Sequence, residues 1–118
     1  NFYLGRIYFI KNEYEKSEPL LNTFMNSGAS ELLYTGAIKM LTHIAIQNKQ
    51  FIKAIKLLDD GSKKISKNDY IELKLIKALL LKEQGKADKA KSLIDEIISK
   101  EKLPRHLKQK SEEIIGMM

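Results

Sequence analysis

His43 and His106 are where a chemical reading of this chain begins, because an imidazole can accept a proton, donate one or hold a metal near neutral pH. Neither has an acid within one helical turn on either side, and the sequence contains no cysteine, so no metal-ligand spacing forms around them. The paired carboxylates Asp59 and Asp60 fall near the expected end of a helix, where solvation accounts for them. The six glycines never cluster into a loop able to cradle a phosphate, and no nucleophile motif of the G-x-S-x-G kind occurs. The sequence therefore nominates no catalytic residue, no metal ligand and no cofactor, and the expectation is a protein that is not an enzyme.

Positive charge is the next candidate for chemistry. The net charge of +6 sits unevenly: Lys and Arg outnumber Asp and Glu by 16 to 9 in residues 53–110 but only by 5 to 4 in residues 1–52. Two clusters stand out, Lys63-Lys64 with Lys67, and residues 100–110 with five cations against one Glu. Such clusters attract phosphate backbones or acidic proteins. No aromatic side chain is interleaved with either one to stack on bases, so nucleic-acid binding through the basic second half ranks as an alternative reading behind protein binding.

The elements that carry these residues follow from composition and periodicity. With 43% hydrophobic and 31% charged residues, six Gly and two Pro, the chain has the make-up of a folded, mostly helical domain. No apolar run reaches the roughly 20 residues needed to span a bilayer, and Asn1 opens directly into helical sequence, which reads as a cut within a longer protein. No signal for a cellular compartment is readable.

Three segments share one pattern. Leu4-Gly5-x-x-Tyr8 leads to Tyr14 and Ser17, Leu41-Thr42-x-x-Ala45 to Phe51 and Ala54, and Lys77-Ala78-x-x-Leu81 to Ala87 and Ala90. Each segment is interrupted by a short polar stop, at 12–13, 48–50 and 84–86, where Asn and Gly suit the left-handed backbone that ends a helix. The pattern predicts helices at about 1–11, 14–26, 31–47, 51–63, 69–84, 87–100 and 104–117, with Ser30 and Ser66 as N-caps and Pro104 in the first turn of the last helix. Gly5, Thr42 and Ala78 on first helices face Ser17, Ala54 and Ala90 on second helices, small residues that allow close approach. Leu21, Leu58 and Ile94, one turn further on, are expected to fill the space between successive hairpins.

These motifs, together with Gln84-Gly85-Lys86-x-x-x-Ala90-x-x-x-Ile94, resemble tetratricopeptide repeats over about 100 residues. Departures are Asn1 at the position of the usual Trp, Lys74 and Lys77 at usually apolar positions, and no closing proline in any unit. The resemblance implies an all-α fold, a right-handed solenoid of antiparallel helix pairs: repeats at about 1–29, 31–65 and 69–102, followed by a C-terminal helix. That last helix, with Leu103, Leu107, Ile114, Ile115 and Met118 in one stripe, reads as a cap or as the first helix of a further repeat.

By the same resemblance, first helices line a concave surface, and the groove-facing set is Phe2, Arg6, Phe9 and Ile10, then Lys39, His43, Ile46 and Gln47, then Leu75, Leu79 and Lys82. The set is mainly apolar with cations at its margins. It lacks the Lys, Asn and Arg pattern of a clamp for C-terminal carboxylates, and Phe2, Lys39 and Leu75 stand where related RNA-reading repeats place small polar residues. The implied function is a scaffold or adaptor module that binds another protein or peptide, a helical or extended amphipathic segment with acidic flanks. The first alternative is a structural or self-association module, a homo-oligomer formed through the N-terminal edge, where Phe2, Tyr3, Ile7 and Phe9 belong to a hairpin with nothing in front of it; upstream chain is the first expected cover of that edge and self-association the next.

Overall fold

The computed structural model of this chain describes residues 2–27, 30–61, 65–100 and 105–116, with Glu31, Leu32 and Lys100 described by backbone alone. Asn1, Lys63, Lys64, Lys102, Leu103, Pro104 and Met118, each of which carries an expectation above, lie outside the described residues. Within them the chain is all-helical: α1 (Phe2–Ile10), α2 (Tyr14–Met25), α3 (Glu31–Gln47), α4 (Phe51–Gly61), α5 (Lys67–Glu83), α6 (Ala87–Lys100) and α7 (Arg105–Gly116). The sequence reading takes the chain as one domain; it divides into two compact units, Asn1–Ser66 and Lys67–Met118.

Helix pairs α1–α2, α3–α4 and α5–α6 are built by one turn used three times. The second residue after each first helix takes a positive φ: Asn12 at 62°, Lys49 at 57° and Gly85 at 79°, spaced 37 and then 36 residues apart. Around each, two backbone hydrogen bonds close the helix end. The amides of Asn12, Lys49 and Gly85 donate to the carbonyls of Phe9, Ile46 and Lys82, and the amides of Glu13, Gln50 and Lys86 reach back to Tyr8, Ala45 and Leu81. The carbonyls of Glu13, Gln50 and Lys86 then accept from the amides of Ser17, Ala54 and Ala90, which starts the second helix at once. A left-handed residue followed by a helix start reverses the chain within three residues.

The reversal brings the small residues together. In the first pair, Ser17 is fully buried and its hydroxyl donates to the Gly5 carbonyl at 2.7 Å, so a side chain of α2 is bonded directly to the backbone of α1. A Cβ on Gly5 would lie 3.0 Å from Leu21 Cδ2, tighter than ordinary carbon contacts. In the other pairs Thr42 and Ala54, and Ala78 and Ala90, are buried at the matching positions. The Thr42 hydroxyl is buried without a hydrogen-bond partner among the described residues, so that site tolerates the threonine rather than using it. Leu21, Leu58 and Ile94 are all but inaccessible to solvent, as the spacing requires.

In the first unit, α3 packs on both α1 and α2, so hairpin α1–α2 stacks on hairpin α3–α4. Phe2, Leu21, Ala37, Leu41 and Ile44 form the core between them, with Phe24, Met40 and Leu57 packed around it. Gly61, at the end of α4, approaches α3 so closely that an added Cβ would overlap the Ile38 side chain. Glu18 of α2 and Lys53 of α4 pair at 3.3 Å on the surface of this stack. In the second unit, Ile71, Leu75, Ala78, Leu81, Ile94 and Ile97 are buried, and α7 packs on both α5 and α6 with Leu107, Ser111 and Ile114 inward. Lys74 and Lys77 are half-buried; their stems follow the apolar surface, and the Lys74 ammonium lies 5.4 Å from the centre of the Tyr70 ring.

Two local expectations change. Ser30 precedes α3 in an extended conformation, but its hydroxyl makes no capping bond. Helix α5 starts at Lys67, directly after Ser66 and two residues earlier than its pattern suggests. Pro19 lies in the second turn of α2; the missing amide leaves the Glu15 carbonyl without its helical donor on a side where both residues are exposed, and the helix continues.

Two stability predictions follow from the repeated turn and the close pairs. Lys49→Gly removes the cost of a branched Cα in the left-handed region and raises the unfolding free energy by about 0.5–1 kcal/mol. Ala90→Leu forces the α5–α6 pair apart and lowers it by about 1–3 kcal/mol. Urea unfolding of each variant against the parent checks both; an unchanged midpoint for Ala90→Leu contradicts the close approach.

Candidate functional site: the exposed face of the first helices

The groove-facing set divides on the structure. Phe2 is only 7% exposed, its ring 5.1 Å from that of Phe24 and its edge against Gly36, so it belongs to the core between the first two hairpins. Leu75 is inaccessible to solvent in the second unit. Both are corrections to the candidate set: on a helix with neighbours on two sides, the stripe assigned to the groove overlaps the one that packs. Arg6, Ile10, His43 and Gln47 are exposed, and Phe9, Lys39, Ile46, Leu79 and Lys82 are half-buried. Lys82 lies 4.0 Å from the carboxylate of Glu83.

In the first unit the structure assembles a cluster from this set. The rings of Phe9 on α1, Tyr14 on α2 and His43 on α3 meet mutually, with centres 5.3 Å apart for Phe9 and His43, 5.5 Å for Phe9 and Tyr14, and 5.8 Å for Tyr14 and His43. Both contacts to the imidazole are edge-to-face, the arrangement that aromatic quadrupoles favour. The Tyr14 hydroxyl donates to Asn12 Oδ1 at 3.1 Å and lies 3.2 Å from His43 Nε2. A phenol has one hydrogen, so which of Tyr14 and His43 donates to the other depends on the imidazole tautomer.

The repeated turn positions this cluster. Asn12 is the left-handed residue, and two positions later Tyr14 opens α2, so its ring is turned back over Phe9 in the last turn of α1. His43 reaches the same point because α3 packs on both helices of the first hairpin. Tyr14 belongs to the repeat pattern but is absent from the sequence-derived groove set, since its link to His43 spans 29 residues. Beside the cluster, an open depression is lined by Asn12, Glu13, Tyr14, Glu15, Lys16 and Asn48.

His43 meets the rings of Phe9 and Tyr14 and the Tyr14 hydroxyl. No group of three or more His, Cys, Asp or Glu close enough to hold a metal occurs among the described residues. No described helix is long and apolar enough to cross a membrane. Of the basic cluster at 100–110, Arg105 and Lys108 are exposed on α7, where they line a shallow depression with Gln109 and Glu112. No protein-family model, curated protein or solved structure matches this chain.

The geometry predicts that stacking, not the phenol, holds the cluster. Tyr14→Phe keeps all three rings and costs no more than about 1 kcal/mol of stability, the net worth of one hydrogen bond in partly exposed surroundings. Tyr14→Ala removes the ring between α1 and α3 and costs about 2–4 kcal/mol. Thermal unfolding of the two variants side by side checks the order.

Proposed function

We propose that this chain is a protein-binding module: a right-handed solenoid of helical hairpins resembling tetratricopeptide repeats, which holds an amphipathic segment of another protein on the face of its first helices. The observation that carries the reading is the Phe9–Tyr14–His43 cluster, a rigid, partly exposed aromatic shelf at the junction of two hairpins. Ile10, 66% exposed, is the neighbour of Phe9 on α1, and the half-buried Ile46 is one turn from His43 on α3.

Apolar side chains beside a pre-ordered aromatic shelf favour a partner that inserts one or two large apolar residues, because little side-chain entropy is left to lose on binding. Arg6 and Lys39 add cations on the same helices, which favours acidic residues flanking the partner's apolar anchors. A helix with anchors at i, i+3 or i+4 and an extended strand with anchors at alternate positions both meet this requirement.

Ile10 and Ile46 make the cleanest test, because Phe9 also holds the fold together. The double variant Ile10→Ala, Ile46→Ala should keep most of the stability of the parent and lose about 1–3 kcal/mol of affinity for whatever protein the parent captures and retains on purification. Ile52→Ala, at a side chain 86% exposed on the second helix α4, is the control and should change neither. The paired readout is unfolding midpoint and titration calorimetry. A double variant that folds and binds like the parent overturns the assignment to the first-helix face.

A further inference from the structure

The outward side of α1 carries a second apolar surface, distinct from the aromatic shelf. Tyr3, Leu4 and Ile7 are 61%, 41% and 48% exposed. The repeat interval of 37 residues carries these three positions onto Met40, Leu41 and Ile44 of α3. There the same positions are covered: Leu41 and Ile44 are 2% and 1% exposed and Met40 is half-buried, because they pack against Phe2 and Leu21 of hairpin α1–α2.

The correspondence extends to charge. Lys53 of α4, which pairs with Glu18 of α2 at 3.3 Å across the two hairpins, stands 37 residues after Lys16 of α2. Three apolar side chains and one lysine on hairpin α1–α2 thus repeat, position by position, those with which hairpin α3–α4 receives its neighbour. From this we infer that the outward face of α1 is an interface for a further helical hairpin of the same repeat type. That hairpin would present large apolar side chains where Phe2 and Leu21 stand and a carboxylate where Glu18 stands. A second copy of this chain pairing α1 to α1 fits less well, since Arg6 and Lys11 belong to α1 and its immediate end while α1 contains no acid to oppose them. The inference is independent of the proposed binding face.

The test supplies such a hairpin in register, by placing a copy of residues 1–37 directly in front of Asn1 in the full chain. The extended chain should unfold in one transition with a raised midpoint. Ile7→Lys, made in the original α1, should lower that midpoint by roughly 5–10 °C, while in the unextended chain it should change the midpoint by no more than about 2 °C. Equal shifts in the two backgrounds, or an added hairpin that melts separately, overturn the inference. So does a dimer of the unextended chain, seen by sedimentation, that Ile7→Lys abolishes, because the occupant is then a second copy. Should the extended chain fail to fold, a synthetic peptide of residues 1–37 titrated into the full chain decides: amide shifts at Leu4, Ile7 and Lys16 support the interface, and their absence at millimolar peptide overturns it.

Discussion

The fold depends on one backbone event, the single residue with positive φ that ends each first helix. In that conformation the next amide points back along the helix it has just left, and two otherwise orphaned carbonyls are satisfied by the chain as it reverses. Because only three residues separate the helices, the angle and offset between them are set by backbone geometry before any side chain packs. Gly85 meets the requirement without a Cβ, Asn12 with a side chain that tolerates it, and Lys49 against its intrinsic preference. The fact that a lysine is held there shows that the paired hydrogen bonds and the packing of the hairpin outweigh a local penalty of roughly 1 kcal/mol.

From that constraint the packing follows. Helices launched so closely must meet through small residues: Ser17 bonds to the Gly5 carbonyl, and Thr42, Ala54, Ala78 and Ala90 are buried at the matching positions. The branched residues one turn on, Leu21, Leu58 and Ile94, then have no solvent-facing direction left. Their buried area is the main source of stability, on the order of 2–5 kcal/mol lost for truncation of each. The aromatic cluster is a by-product of the same turn: Tyr14 lies beside Phe9 because the chain reverses at Asn12, and His43 closes the group because hairpins stack. The proposed binding shelf therefore borrows its rigidity from the element that also makes the hairpin.

Most of the fold was legible in the sequence, because it rests on spacing. Helix bounds agree to within two residues, and the three small pairs and three large fillers are buried where the pattern places them. What stayed hidden depended on neighbours distant in sequence. Propensity points to Asn48 as the left-handed residue of the second turn, yet Asn48 is right-handed at φ −87° and Lys49 makes the turn, because the reversal must keep its phase with α4. Phe2 and Leu75 read as groove residues from their positions, and only the stacking of helices shows them enclosed. Tyr14 gave no sign of meeting His43. Arg6, Ile10, His43 and Gln47 keep their place on the exposed face, His43 while also meeting Phe9 and Tyr14 of the neighbouring hairpin.

The central claim, that one turn geometry generates all three hairpins, is tested most directly by the backbone at Lys49, the residue least suited to it. Nuclear magnetic resonance couplings that report φ, combined with amide hydrogen exchange, should show positive φ at Asn12, Lys49 and Gly85 alike. The amides of Glu13, Gln50 and Lys86, which reach back five residues, should be protected together. A negative φ at Lys49 with a freely exchanging Gln50 amide would contradict it, for the middle hairpin would then be built differently from the other two.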